Sequence, residues 1–330
     1  MSQSPASVRQ WLRRLSWLVV ALAGFYFVRE LVRRFSDIPP IEWGPATLAV
    51  FLLATLAIAS TSVFIGLMWH LLLRDQSVRL PVGQAVLIVA ISQIGKYLPG
   101  NVGHFAGRAV MGRSAGVPMG VTAGTLLIET AWTLAIGAGF AAMAFLFYLD
   151  ASARLSLPSV GAAELVILTA LLLFAPWIGI RLVNQIAPAL SAKVGGGQPL
   201  APPRLGTALS VSALMVTCFG LLGTALWMQA TWFFHVQDAP WLAMTLLFTA
   251  AWLVGYVVPG APGGLGVREA MMVLLLSPLV GSGTAVGLGV SMRLVTIAGD
   301  GLACLGGMIA RRLLGNTPVP DSRRGGATGE

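Results

Sequence analysis

Long apolar runs with short polar breaks dominate the chain, at Leu15–Val32, Ala46–Leu73, Met119–Tyr148, Ser159–Arg181, Leu205–Phe234 and Gly283–Ile309. Each can cross a hydrocarbon core, which takes about 20 apolar residues in a helix. Lipid offers the backbone no hydrogen-bond partners, so each run must satisfy its own as a helix. Six full spans are expected. Two further apolar stretches, Val82–Leu98 and Trp241–Val258, stop abruptly at "GKYLPGNVGHFAGR" (Gly95–Arg108) and "GYVVPGAPGGLGVR" (Gly255–Arg268), then resume in the weaker segments Phe105–Gly116 and Val267–Pro278. They read as the arms of two broken or re-entrant helix pairs.

The two interruptions match without a gap. Gly95, Pro99, Gly100, Gly103 and Arg108 correspond to Gly255, Pro259, Gly260, Gly263 and Arg268, each pair 160 positions apart. The same offset sets "TLAIGAG" from Thr133 beside "RLVTIAG" from Arg293, giving repeat units of about 82–148 and 242–308. If each broken pair returns to its own side, three full spans separate the units and the repeat is inverted. If the breaks are full crossings, it is parallel. The predicted fold is an all-α polytopic membrane protein: a single domain over residues 1–315 and a disordered cytoplasmic tail over 316–330, "DSRRGGATGE" at its end.

A Pro-Gly break frees backbone groups that must be packed in protein or line a wet cavity. Gly100, Gly103, Gly260, Gly263, Gly264 and Gly266 admit positive-φ turns and close approach of a ligand. A helix restarting after the break presents free N–H groups and the positive end of its dipole, an anion site. Arg108 and Arg268 are expected in or near those first turns, where a guanidinium grips phosphate bidentately. Glu129 shares a helical face with Thr122, Thr125 and Thr133, while Arg293 and Asp300 lie two turns apart on another. Glu129 is expected to pair with an Arg of the opposite unit, and Arg293 with Glu269 or Asp300. Charges in a bilayer cost roughly 3 kcal/mol or more each, so they mark either a polar site or an ion-pair lock between helices. The substrate-binding candidates are Arg108, Arg268, Glu129, Arg293, Lys96, Glu269 and Asp300. Glu269 in a first turn also simply complements the dipole, and Lys96 also suits snorkelling to the interface. His104, inside the first motif, is a candidate proton sensor.

Composition narrows the classes. The chain is 56% hydrophobic and only 10% charged, beyond what a soluble core of 330 residues needs. A net charge of +9 raises nucleic acid as a partner, but its distribution removes it. Alternating sides from a cytoplasmic N-terminus puts Arg9, Arg13, Arg14, Arg74, Arg79, Arg113, Arg181, Lys193, Arg204, Arg311, Arg312, Arg323 and Arg324 inside, against Arg29, Arg33, Arg34 and Arg154 outside. That is the positive-inside pattern, with both termini cytoplasmic. Trp17, Trp43, Trp69 and Trp241 read as interfacial anchors. Cys218 and Cys304, each within a span, suggest neither a disulfide framework nor a metal site, and no cofactor is called for.

At "PGGLGVREA" (Pro262–Ala270), and again at "GKYLPGNVG", the Glu129 span and "MRLVT" from Met292, the sequence resembles the lysylphosphatidylglycerol synthase transmembrane-region family. This is the flippase portion of bacterial multiple peptide resistance factors and their free-standing relatives. The resemblance covers about Ser16–Leu314. It implies translocation of a lipid with a charged or polar head group across the bacterial inner membrane, with membrane lipids as partners. A separate lipid-synthesising enzyme is a further expected partner, because no soluble aminoacyl-transferase domain is expected here. Many relatives carry Glu-Arg and then an Asp around the position of Glu129, where this chain has Thr130 and Thr133. A carrier, not an enzyme, is the leading reading. The alternatives are an intramembrane enzyme acting on lipid-linked substrates, of glycosyl- or phosphotransferase type, and a small-solute or ion carrier. Small-residue seams such as "GLACLGG" leave a homo-oligomer open.

Overall fold

A computed structural model describes residues 5–98, 102–148, 162–194 and 199–314. The motif residues Pro99 and Gly100, the loop containing Arg154, and the expected tail at 316–330 lie outside the described residues. The described chain is all-α: α1 (Pro5–Arg33), α2 (Pro45–Asp75), α3 (Val82–Ser92), α4 (Gly103–Ser114), α5 (Met119–Tyr148), α6 (Ala162–Ile186), α7 (Pro188–Val194), α8 (Leu205–Phe233), α9 (Trp241–Val257), α10 (Val267–Val280) and α11 (Ser282–Leu314). Short 3₁₀ turns at Phe35–Asp37, Gln93–Tyr97 and Pro262–Gly264 link some of them.

Among the described residues, five helical segments are long and apolar enough to cross a membrane: Pro45–Asp75, Met119–Leu146, Leu205–Phe233, Pro262–Val280 and Ser282–Leu313. Four of these are expected spans, and the other two expected spans form α1 and α6. The fifth, Pro262–Val280, was expected as a broken arm. Its helix proper is the 14-residue α10, about 21 Å long and shorter than a hydrocarbon core of about 30 Å.

The offset of 160 reaches further back than the quoted motifs. Shifting α2 by 160 gives 205–235, and α8 begins at Leu205. The repeated unit is therefore a long helix, a broken pair and a second long helix: α2–α5 in one copy and α8–α11 in the other. The equivalent helices α2 and α8 pack extensively on each other and run antiparallel. At one end the Arg204 backbone N–H donates to Asp75 at 2.8 Å; at the other the rings of Trp43 and Phe233 meet with centroids 6.3 Å apart.

The second equivalent pair is opposed as well. Trp69, late in α2, bonds Thr125, early in α5, so α5 opposes α2. Gly283 at the start of α11 lies against Asp37, and Gly299 lies against Ile58, so α11 runs with α2. Both pairs of equivalent helices are thus antiparallel, which makes the repeat inverted. Across the junction the units trade partners, α5 packing on α9 and α11 on α3, as a two-fold relation requires.

Close approach at these seams depends on small residues, as helices in lipid lack a hydrophobic drive to associate. A Cβ on Gly299 would come within 2.6 Å of the Ile58 Cβ, and one on Gly307 within 3.0 Å of Ile91. Gly301 and Gly306 of the same seam have nothing within 4 Å. Outside the junction, Leu294, Leu302, Leu305 and Ile309 of α11 are exposed, an apolar outer face suited to lipid. Trp43 and Trp241 are exposed as belt residues should be, but Trp69 is not an interfacial anchor. It is fully buried between α2 and α5, its indole N–H donating to Thr125 Oγ1 at 3.1 Å.

Candidate functional site

Each broken pair folds into a hairpin. In the first, a Cβ on Gly95 would lie 2.6 Å from the Gly103 carbonyl carbon, and one on Gly107 would lie 3.1 Å from the Ser92 Cβ. The pairings 95 with 103 and 92 with 107 make the arms antiparallel. Both outer ends sit beside the α2 C-terminus: His70 bonds the Leu80 carbonyl at 2.7 Å, and Gly112 faces Trp69. The second hairpin starts at Trp241, just after α8, and ends where α11 begins beside Asp37, at the opposite end of the bundle. The hairpins therefore enter from opposite ends and meet at their tips, where Tyr97 lies against Gly263.

The two tips differ in backbone. Gly260, Gly263, Gly264 and Gly266 all take the positive φ expected of them, at 89°, 56°, 74° and 79°. Gly103 does not. It opens α4, and it is glycine because any side chain would run into the Gly95 carbonyl. Arg268 is the second residue of α10, in the first turn, whereas Arg108 is the sixth of α4 and sits a turn further in.

Arg108 is 1% exposed, and its Nη1 lies 2.6 Å from Glu129 Oε2, with the guanidinium 5.5 Å from the centre of the Trp69 ring. Glu129 was expected to reach across to the opposite unit; it pairs within its own, because α5 packs directly on α4. Arg293 does pair with Glu269, Nη2 to Oε1 at 2.9 Å, and its Nη1 donates to the Gly263 carbonyl at 3.0 Å. Glu269 does a second job: Oε2 accepts the Gly266 N–H at 2.7 Å, capping α10. Part of the donor set at that helix start is thus satisfied by the protein's own carboxylate. Arg268 Nε stands 3.5 Å from Glu269 Oε1 without a hydrogen bond to it, and Nη2 donates to Thr296 Oγ1 at 3.3 Å.

The pairs that join the units were not those expected. Lys96 Nζ lies 2.7 Å from Asp300 Oδ2, and the Tyr97 hydroxyl donates to the same oxygen at 2.6 Å. Asp300 is 2% exposed and belongs to α11, whereas both donors come from the first hairpin.

Where the tips meet there is a cavity of about 150 Å³. Of the seven expected site residues, Lys96, Arg108, Glu129, Arg268 and Asp300 line it. Arg293 and Glu269 do not; they stand behind Arg268 and Gly263. His104 and Thr133 line it too, but Thr122 and Thr125 are buried in packing beside Trp69 and Gly112. The apolar walls come from equivalent stretches of α2 (Ile58, Ile65) and α8 (Met215, Cys218, Phe219) and from Trp252 of α9. Among residues not foreseen, Thr296 is one turn from Arg293 on the charged face of α11, a signal present in the sequence. Tyr97 and Gln93 carried none. About 150 Å³ holds a cluster of waters or one compact polar head group, and leaves acyl chains outside.

The lysylphosphatidylglycerol synthase TM region family matches residues 13–304, nearly the whole described chain. No curated protein matches the chain. With the apolar helices, the family match makes this a multi-pass membrane protein with a lipid-related role.

Proposed function

The chain belongs to the lysylphosphatidylglycerol synthase TM-region family, and from that premise we propose that it is a carrier moving a lipid with a polar or charged head group between leaflets of a bacterial inner membrane. The observation that supports this best is the cavity itself. It lies where two inverted hairpins meet tip to tip, and both contribute an Arg to its wall. Inverted repeats with discontinuous helices meeting near the midplane suit alternating access to a single site.

On this reading the hairpins are re-entrant, one from each side of the membrane. Arg74, Arg79, Arg113, Arg204, Arg311 and Arg312 gather at the end where α2 and α11 finish and α8 begins. That end is the cytoplasmic one by the positive-inside pattern, which puts both termini there. The head group occupies the polar cavity while its chains stay in lipid. Movement requires the hairpin tips to part, breaking the Lys96 and Tyr97 contacts to Asp300 from one side or the other. The chemistry is binding and release, without bond making, so the protein acts as a carrier and not as an enzyme.

The test is translocation of fluorescent lipids in proteoliposomes. Replacing both Arg108 and Arg268 by Ala should abolish protein-dependent transfer in a preparation that remains monodisperse. Unchanged transfer would sink the site assignment.

A further inference from the structure

The formal charges on the cavity wall do not cancel. Among the described residues, Lys96, Arg108 and Arg268 face Glu129 and Asp300, leaving one positive charge with His104 neutral. The pair behind the wall, Arg293 with Glu269, adds nothing to this balance. Residues 99–101, outside the described residues, are Pro, Gly and Asn and carry no charge.

The geometry says which cation is left over. Arg108 holds Glu129 at 2.6 Å and Lys96 holds Asp300 at 2.7 Å, while Glu269 Oε2 accepts the Gly266 N–H and its Oε1, which accepts no hydrogen bond, lies 2.9 Å from Arg293 and 3.5 Å from Arg268. Arg268 is left with a hydroxyl at 3.3 Å and a shared carboxylate at 3.5 Å. It is 6% exposed, and its Nε has no hydrogen-bond partner; Arg108 Nε lacks one as well, but Arg108 has a carboxylate oxygen at 2.6 Å and Arg268 has none nearer than 3.5 Å. A buried guanidinium without a full counter-charge is held there at a cost that an incoming anion would offset.

We propose that Arg268 is the charge-selecting residue of the cavity, and that the cargo is a lipid whose head group carries one net negative charge and no ammonium group, a simple phosphodiester. An aminoacylated head group brings ammonium charge, and no carboxylate on the wall is without a cation to receive it. This rests on the carrier reading for its biological use, but it is a statement about binding and can be tested without transport.

Purified protein in nanodiscs would be titrated with phosphatidylglycerol (net −1), phosphatidylcholine (net 0) and lysyl-phosphatidylglycerol (net +1), with inorganic phosphate as a soluble arm. Phosphatidylglycerol should bind about tenfold tighter than either other lipid, the size of one charge-assisted hydrogen bond to a guanidinium. Arg268→Gln should erase the preference. If that variant does not fold, Thr296→Glu and Thr296→Gln give the same answer. They are equal in size, and only the Glu supplies Arg268 with a counter-charge, so the preference should fall about tenfold in Thr296→Glu relative to Thr296→Gln. Tighter binding of the aminoacylated lipid, or identical behaviour of the two Thr296 variants, would overturn the proposal. Phosphate binding without phosphatidylglycerol binding would do so as well, by making the site one for a soluble anion. Selective binding with no transfer in proteoliposomes would uphold the proposal and overturn the carrier reading alone.

Discussion

The two hairpins descend from one pattern, Gly, Pro-Gly, Gly, Arg, yet they treat their arginines differently. Arg108 is locked to a carboxylate on the next long helix, with Trp69 beside it. Arg268 shares the Glu269 carboxylate, 3.5 Å from its Nε, with Arg293. The position equivalent to Glu129 in the second unit is Gly289, which lies against Glu269. One unit thus keeps its acid on the long helix and the other keeps it beside the Arg in the hairpin. The repeat supplies symmetric cavity walls, and the loss of symmetry in a few charges leaves one side of the cavity closed electrostatically and the other open to an anion.

The sharpest way to break this comparison is to remove the acid from the closed side. Glu129→Gln strands the buried Arg108, and losing one partner of a buried pair costs about 3–5 kcal/mol. A large drop in thermal stability in detergent is expected. Arg268→Gln should lower stability far less, because little partners that side chain; equal losses would show that the two arginines are equivalent after all.

The hairpin tips give the next contrast. Gly263→Ala forces a side chain onto positive φ and against Tyr97, a strain of about 1–3 kcal/mol. Gly103→Ala should match or exceed that cost for a different reason, collision with the Gly95 carbonyl. Its damage should therefore be local to the first hairpin, read as faster amide exchange in α4 alone. The smallest effect is expected at the bridge between the units. Lys96→Met removes a partly exposed cation from the buried Asp300, but Tyr97 continues to hold that carboxylate, so stability should fall by less than in Glu129→Gln. The same variant should loosen the contact between the tips, seen as faster exchange at Gln93–Tyr97.

Much of this was legible because lipid is a strict solvent. Runs of about 20 apolar residues had one outcome, and a Pro-Gly break in such a run needed a protein-lined setting. The equivalence of α2 and α8 was less visible. They match in length and offset but share no motif, since faces packed in a membrane core accept many apolar side chains. Trp69 was misread because a Trp near a span end looks the same whether it meets head groups or a neighbouring helix. Its Thr125 partner lies 56 positions away.

The sequence by itself determined the helical class, the two breaks, their 160-residue relation and which residues bring charge into the bilayer, because these follow from local solvation of the chain. Only the tertiary structure decided that the repeat is inverted, that Glu129 answers Arg108 within its own unit, that Lys96 and Tyr97 bridge to Asp300, and that Arg268 is the cation left over. Ion pairing depends on which helices touch, and that is settled by packing across the whole bundle rather than by spacing along any one helix.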